Sequence, residues 1–183
     1  GELKFLCMEK AEFAVDIEKK ECDGRIVYGE RGMDEVRFLI SANPGEPLKP
    51  LSKIASGGEL SRIMLAIKTS LADADRIPTL IFDEIDTGIS GRAAQAVADK
   101  LNVISRTHQV ICITHLPQIA SYADTHFCIS KSSTDNSTST SVKPLDSKER
   151  ISEIARMLGG KKLTELTIKH AEEMLRMAHE NKR

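Results

Sequence analysis

Three short stretches combine residue types that can do chemistry together. The first is Asp83-Glu84, directly after the apolar run Thr79-Leu-Ile-Phe82. Two adjacent carboxylates at the end of a strand can divide the work. One holds Mg²⁺, usually through water, and the next orients or deprotonates an attacking water. The second stretch is Ser56-Gly57-Gly58-Glu59, at the head of an apolar helical pattern. Ser with Glu three residues on is a capping box, in which hydroxyl and carboxylate each satisfy a backbone N–H of the helix start. Capping leaves the two glycines unexplained. They cost backbone entropy, yet they let a bulky anion approach the exposed amides, where the positive end of the helix dipole points, so the stretch reads as a phosphate cradle. The third is Thr114-His115, which follows the apolar run Val110-Ile-Cys-Ile113. Ligands of open parallel sheets bind beyond the carboxyl ends of the strands, and both Asp83-Glu84 and Thr114-His115 fall at such ends.

The elements that must position these residues are visible in the hydrophobic pattern. Leu60, Ile63, Met64, Ile67 and Leu71 recur at helical spacing and Pro78 stops that helix; Ala93, Val97, Leu101 and Ile104 mark a second one. Thr79–Phe82 and Val110–Ile113 are apolar without alternation, which predicts strands buried on both faces and joined through the second helix in a right-handed parallel crossover. Upstream, Phe13, Val15 and Ile17 alternate with smaller or polar residues and predict a strand with one face covered, with Val36–Ile40 as its antiparallel partner. Three prolines between Asn43 and Pro50 predict a loop. Two helices close the chain, one around Ile151, Ile154, Ala155 and Leu158 that ends at Gly159-Gly160, and one around Ile168, Ala171, Leu175 and Ala178. Residues 131–142 read as a polar hairpin loop, because eight of the ten residues from Ser132 to Ser141 are Ser or Thr.

The whole chain has 183 residues, 26 Lys and Arg against 27 Asp and Glu, and a formal charge of −1. That length suits one domain burying about 70% of its unfolded surface without disulfides. The near-neutral balance excludes binding a phosphate backbone by bulk charge. Four unevenly spaced cysteines and the absence of a long apolar run predict free thiols in a soluble, cytoplasmic protein with no membrane partner. Cys112, His115, His126 and Cys128 do not have a familiar zinc-ligand spacing.

Taken together, Ala55-Ser-Gly-Gly-Glu-Leu-Ser-Arg62 resembles the ABC signature motif, Thr79-Leu-Ile-Phe-Asp-Glu84 a Walker B motif, and Ile113-Thr-His115 a switch histidine. Four longer stretches, Leu39–Pro50, Phe82–Gly91, Thr114–Ala120 and Glu153–Gly160, are similar to the RecN family of bacterial double-strand-break repair ATPases, relatives of the structural-maintenance-of-chromosomes (SMC) proteins. The resemblance implies an α/β fold: the carboxyl-terminal lobe of an ABC/SMC-type ATPase head, with a mostly parallel sheet, flanking helices and an N-terminal antiparallel strand pair. Residues 1–183 would be that lobe. No Gly is followed by Lys and then Ser or Thr, so the Walker A lobe and the coiled-coil arms are expected elsewhere in a longer protein.

The same resemblance implies ATP and Mg²⁺ as cofactors and a role for each residue. Asp83 would hold the Mg²⁺ shell through water, Glu84 would polarise the attacking water, and His115 would contact the γ-phosphate. Ser56, Gly57, Gly58 and Glu59 would bind ATP held on an opposite head, with Ser90 at the same nucleotide interface. Ala55 stands where the signature often has Leu, and Ser90 where many relatives have Asp. The implied partners are the Walker A lobe of the same protein, a second head in a homodimer, and DNA through the full-length, nucleoid-associated protein. The lobe alone would be inactive. Two alternative readings are an ATP-gated dimerisation and DNA-clamping module with little hydrolysis and, ranked lower because Asp83-Glu-Ile-Asp86 lacks the Pro that usually follows a transporter Walker B Glu, the nucleotide-binding domain of an ABC transporter.

Overall fold

A computed structural model of the protein describes residues 1–182 apart from 43, 44, 55, 72–76, 135, 136 and 161. Ala55 of the signature-like motif, Asn43 and Pro44 of the proline-rich segment, and the tip of the hairpin therefore lie outside the described residues. After a single helical turn, α1 (Glu2–Phe5), the alternating run becomes β1 (Glu12–Lys19). It pairs antiparallel along its whole length with β4 (Asp34–Ser41), Phe13 opposite Ile40 and Ile17 opposite Val36. Between them lies a small hairpin, β2 (Glu21–Cys22) with β3 (Arg25–Ile26), which turns through Asp23 and Gly24, both at positive φ. Part of the expected loop is strand: β5 (Lys49–Pro50) lies along β4, Leu39 opposite Pro50. An edge strand can carry Pro because one of its sides has no ladder to donate to.

The apolar face of the β1–β4 pair is open. Phe13, Val15, Ile17, Val36 and Phe38 are all exposed, with Phe13 stacked on Phe38 at 5.8 Å between ring centroids. Period-2 alternation says which face is apolar; it does not say what packs there, and no described element does.

The half of the chain that carries the chemistry follows a strand–helix–strand plan. After a short 3₁₀ turn at Leu51–Lys53 come α2 (Gly57–Ser70), β6 (Thr79–Phe82), α3 (Gly91–Ile104) and β7 (Gln109–Cys112). β6 and β7 are parallel, Leu80 opposite Val110 and Phe82 opposite Cys112, with α3 as the crossover. Leu80 and Phe82 point into the main core, among Leu65 and Ala66 of α2 and Val97, Ala98, Leu101 and Ile104 of α3. Each such side chain, fully buried, contributes about 1.5–3 kcal/mol. The other face of the pair is uncovered, contrary to the expectation of burial on both sides: Ile81 is 68% exposed, Ile111 46% and Ile113 49%.

The rest of the chain braces this unit. α4 (Pro117–Ala120) delivers Ile119 to the main core. A hairpin follows, β8 (Phe127–Thr134) with β9 (Ser137–Pro144), in register from Phe127–Pro144 to Thr134–Ser137. The segment expected as a loop over 131–142 is thus mostly ladder. A two-stranded ribbon has no face that must be apolar, so polar composition does not argue against it, and β-branched Thr favours the extended backbone. α5 (Ser147–Gly159) and α6 (Glu165–Asn181) pack together around Ala120, Ile154, Ala155 and Ala171. Tyr122 ties α6 to α3: its hydroxyl donates to Asp99 at 2.9 Å and accepts from Gln95 at 2.8 Å and from Asn181 at 2.9 Å.

Candidate active site

Asp83 and Glu84 leave the carboxyl end of β6 into a tight turn, Asp83 to Gly88, whose closure begins with Asp83 Oδ1 accepting the Glu84 N–H at 2.9 Å. Glu84 has φ +56°, a left-handed backbone that costs a non-glycine residue about 1 kcal/mol and gathers at working sites. Both side chains are exposed. A pair of oxygen donors at a strand end is the chemistry that suits a hard cation such as Mg²⁺.

The head of α2 lies against this same turn. Ser56 is the N-cap and accepts the Glu59 N–H at 3.4 Å, a long bond, and the return bond of the expected capping box is not formed among the described residues. The glycines are explained by contact. A Cβ on Gly57 would come within 2.5 Å of Glu84 Oε2, and one on Gly58 within 2.9 Å of the Glu84 carbonyl and 3.0 Å of Thr87. Ser61 donates to the Asp83 carbonyl at 2.8 Å. The Glu84 carboxylate thus occupies the space beside Gly57 that a side chain there would need.

Arg62 and Asp86 belong to this site and were not assigned a role from sequence. Arg62, one turn into α2 and buried, donates through Nη1 to the carbonyls of Ile85 at 3.2 Å and Thr87 at 2.9 Å; its Nε has no partner among the described residues. Burial pulls its guanidinium below the ordinary arginine range, against the opposing charge of Glu59. Asp86, enclosed between those two carbonyls, accepts from Thr114 Oγ1 at 2.6 Å and from the His115 N–H at 2.8 Å. The His115 ring lies above it, Nδ1 3.0 Å from Asp86 Oδ2. No spacing rule links residues 62, 86 and 115; the only sequence signal was an extra acid, Asp86, inside the turn that follows Glu84.

Ser90 caps α3 through its carbonyl, which accepts the Ala93 N–H at 3.2 Å, while its exposed hydroxyl makes no cap bond. Cys112 points inward beneath the strand end. Burial first, then the charges of Asp86 and Asp83, push its thiol up to about 12, which keeps it protonated and a poor metal ligand. Asp83, Glu84, His115 and the head of α2 are thus brought to one end of the β6–β7 pair, and Ser90 follows at the close of the same loop.

No protein-family model matches the chain. It is 50% identical to the DNA repair protein RecN of Bacillus subtilis (strain 168) over 191 aligned residues, 99% of this chain and 33% of that protein. Against the DNA repair protein RecN of Treponema pallidum (strain Nichols) it is 48% identical, over 100% of this chain and 32% of the relative. The chain matches the carboxyl-terminal part of RecN. It spans about a third of the length of the curated RecN relatives it matches. Among solved structures, the Smc head domain with a coiled coil and joint derived from Pyrococcus yayanosii superposes with a TM-score of 0.54 over 87% of the RecN-like chain and 28% of that one, at 21% identity. That likeness concerns the fold, an α/β arrangement of the SMC head type. Among the described residues no helix is long and apolar enough to cross a membrane.

Proposed function

We propose that this chain contributes half of a composite site for ATP hydrolysis in a RecN-type DNA repair protein. The observation that carries the reading is the meeting of a carboxylate pair, a histidine and a glycine-bare helix start at one end of a parallel strand pair, in a chain about half identical to RecN. The residues fit the group they would hold. Asp83 presents an exposed carboxylate suited to a water-bridged Mg²⁺, and the glycine-bare head of α2 has the amides that suit a phosphate oxygen once Glu84 moves off Gly57. Bound Mg²⁺ would supply charge neutralisation on the phosphates.

In this reading Glu84 holds and polarises the attacking water, and His115 offers its outer ring nitrogen to the γ-phosphate. Ser56, Gly57, Gly58 and Glu59 receive nucleotide carried by an opposite head, which requires the Glu84 carboxylate to swing off Gly57. Ser90, with a hydroxyl unused by its own helix, faces the same interface. Two heads, each with a Walker A lobe from elsewhere in the same polypeptide, would complete two sites, and DNA would be engaged by the full-length protein in the nucleoid.

The test is Glu84→Gln in the full-length protein. Losing the base should lower ATP turnover by about 10²–10⁴-fold while ATP-dependent dimers persist or lengthen in lifetime. Unchanged turnover would remove Glu84 from this role.

A further inference from the structure

We infer that Asp86 is a positioning residue for His115, setting both the direction of its ring and which ring nitrogen carries hydrogen; this rests on the ATPase reading and deepens it. The imidazole is 74% exposed and the carboxylate beneath it only 4% exposed. A surface histidine on a flexible bond samples several rotamers. This one is fixed from below at two points, because Asp86 Oδ2 meets both the His115 backbone N–H at 2.8 Å and its Nδ1 at 3.0 Å. A carboxylate oxygen at that distance from a ring nitrogen requires a hydrogen between them, so Nδ1 carries it. Nε2, across the ring, is then the nitrogen presented outward, and it donates to a phosphate oxygen when the ring carries its second proton as well.

Asp86 is itself held. Thr114 Oγ1 donates to the same oxygen at 2.6 Å while accepting the Leu116 N–H at 3.0 Å, which locks the strand end that bears His115. Arg62 grips the carbonyls on either side of Asp86, so the carboxylate's place depends on α2. The path therefore runs from the signature-like helix through Arg62 and Asp86 to His115. Burying a carboxylate costs free energy unless donors surround it, and here the donors come from the segment it orients.

The experiment uses the full-length protein with Asp86→Asn, His115→Gln and the double substitution, read as kcat and KM for ATP. Asp86→Asn, which can turn an amide N–H toward Nδ1, should lower kcat about 10- to 100-fold with KM changed less than about threefold. In the His115→Gln background the same substitution should cost less than about twofold, because its client is gone. Equal losses in both backgrounds would make Asp86 merely structural and overturn the inference, while leaving the ATPase reading intact. No turnover in the unsubstituted protein would overturn the reading and this inference together. Histidine ¹⁵N shifts in the unsubstituted protein, with His115→Gln for assignment, decide the point even where Asp86→Asn fails to fold: hydrogen on Nδ1 is expected, and a bare Nδ1 would overturn the assignment.

Discussion

Gly57 and Gly58 differ in what confronts them. Beyond Gly57 is the end of a side chain, Glu84, that can rotate away; beyond Gly58 are the Glu84 carbonyl and Thr87, backbone that cannot. Gly→Ala in a helix interior gains about 1 kcal/mol, and less in the first turn, where both of these glycines stand. At Gly57 that gain and the displacement of Glu84 should nearly cancel. At Gly58, overpacking of about 1–3 kcal/mol should prevail, so Gly58→Ala is expected to lower stability and Gly57→Ala to leave it within about 0.5 kcal/mol. Urea unfolding of the full-length variants compares them, and a stabilised Gly58→Ala would contradict the close contact. This is also where sequence reading reached its limit. Asp83, Glu84, His115 and the Ser56–Glu59 stretch could be singled out because local order reveals a strand end or a helix start. The closeness of Gly58 to Thr87, or of Arg62 to Ile85, comes from tertiary folding that no local pattern encodes.

Helix heads are the best-written elements in this sequence, and they are not alike. At α5, Asp146 accepts the Glu149 N–H at 2.8 Å and Glu149 returns a bond to the Asp146 N–H at 3.1 Å; Lys143 pairs with Glu149 as well. α6 closes its own box with Thr164 and Thr167. α2 has only the 3.4 Å contact of Ser56. Cap strength should follow geometry: Asp146→Ala should cost about 1 kcal/mol, and Ser56→Ala a few tenths, by chemical denaturation. A Ser56 loss as large as that of Asp146 would mean its hydroxyl serves the helix, and the case for keeping it for a ligand would weaken. Strands were less legible. The parallel crossover is legible in two apolar runs, but their outer face is not, since Ile81 and Ile111 are apolar without being covered. The β8–β9 ladder was hidden because Ser and Thr signal a loop by polarity and a strand by shape.

At the scale of the molecule, the open faces become the main physical problem. Ile81 and Ile111 stand opposite one another on the outer side of β6–β7, with Ile113 just past the end of β7, all close to half exposed or more. Contiguous exposed apolar surface marks contact with another body. β7 has a paired neighbour only in β6 among the described residues, so its far edge can also accept a strand. The RecN relatives are about three times this length, and a second lobe of the kind proposed above is the simplest cover. Covering Ile81 would add on the order of 1–2 kcal/mol, its share of a full side-chain burial. Ile81→Asp in the full-length protein should then lower stability by about 2–4 kcal/mol, since it loses that burial and places a carboxylate in an apolar contact. Met177→Asp on α6 supplies the comparison, because Met177 is 50% exposed, and its cost should remain under about 0.5 kcal/mol if that helix face meets water. Thermal unfolding of the two variants separates the cases. Equal small losses would mean that Ile81 faces solvent in the full protein too, and that the second lobe docks elsewhere.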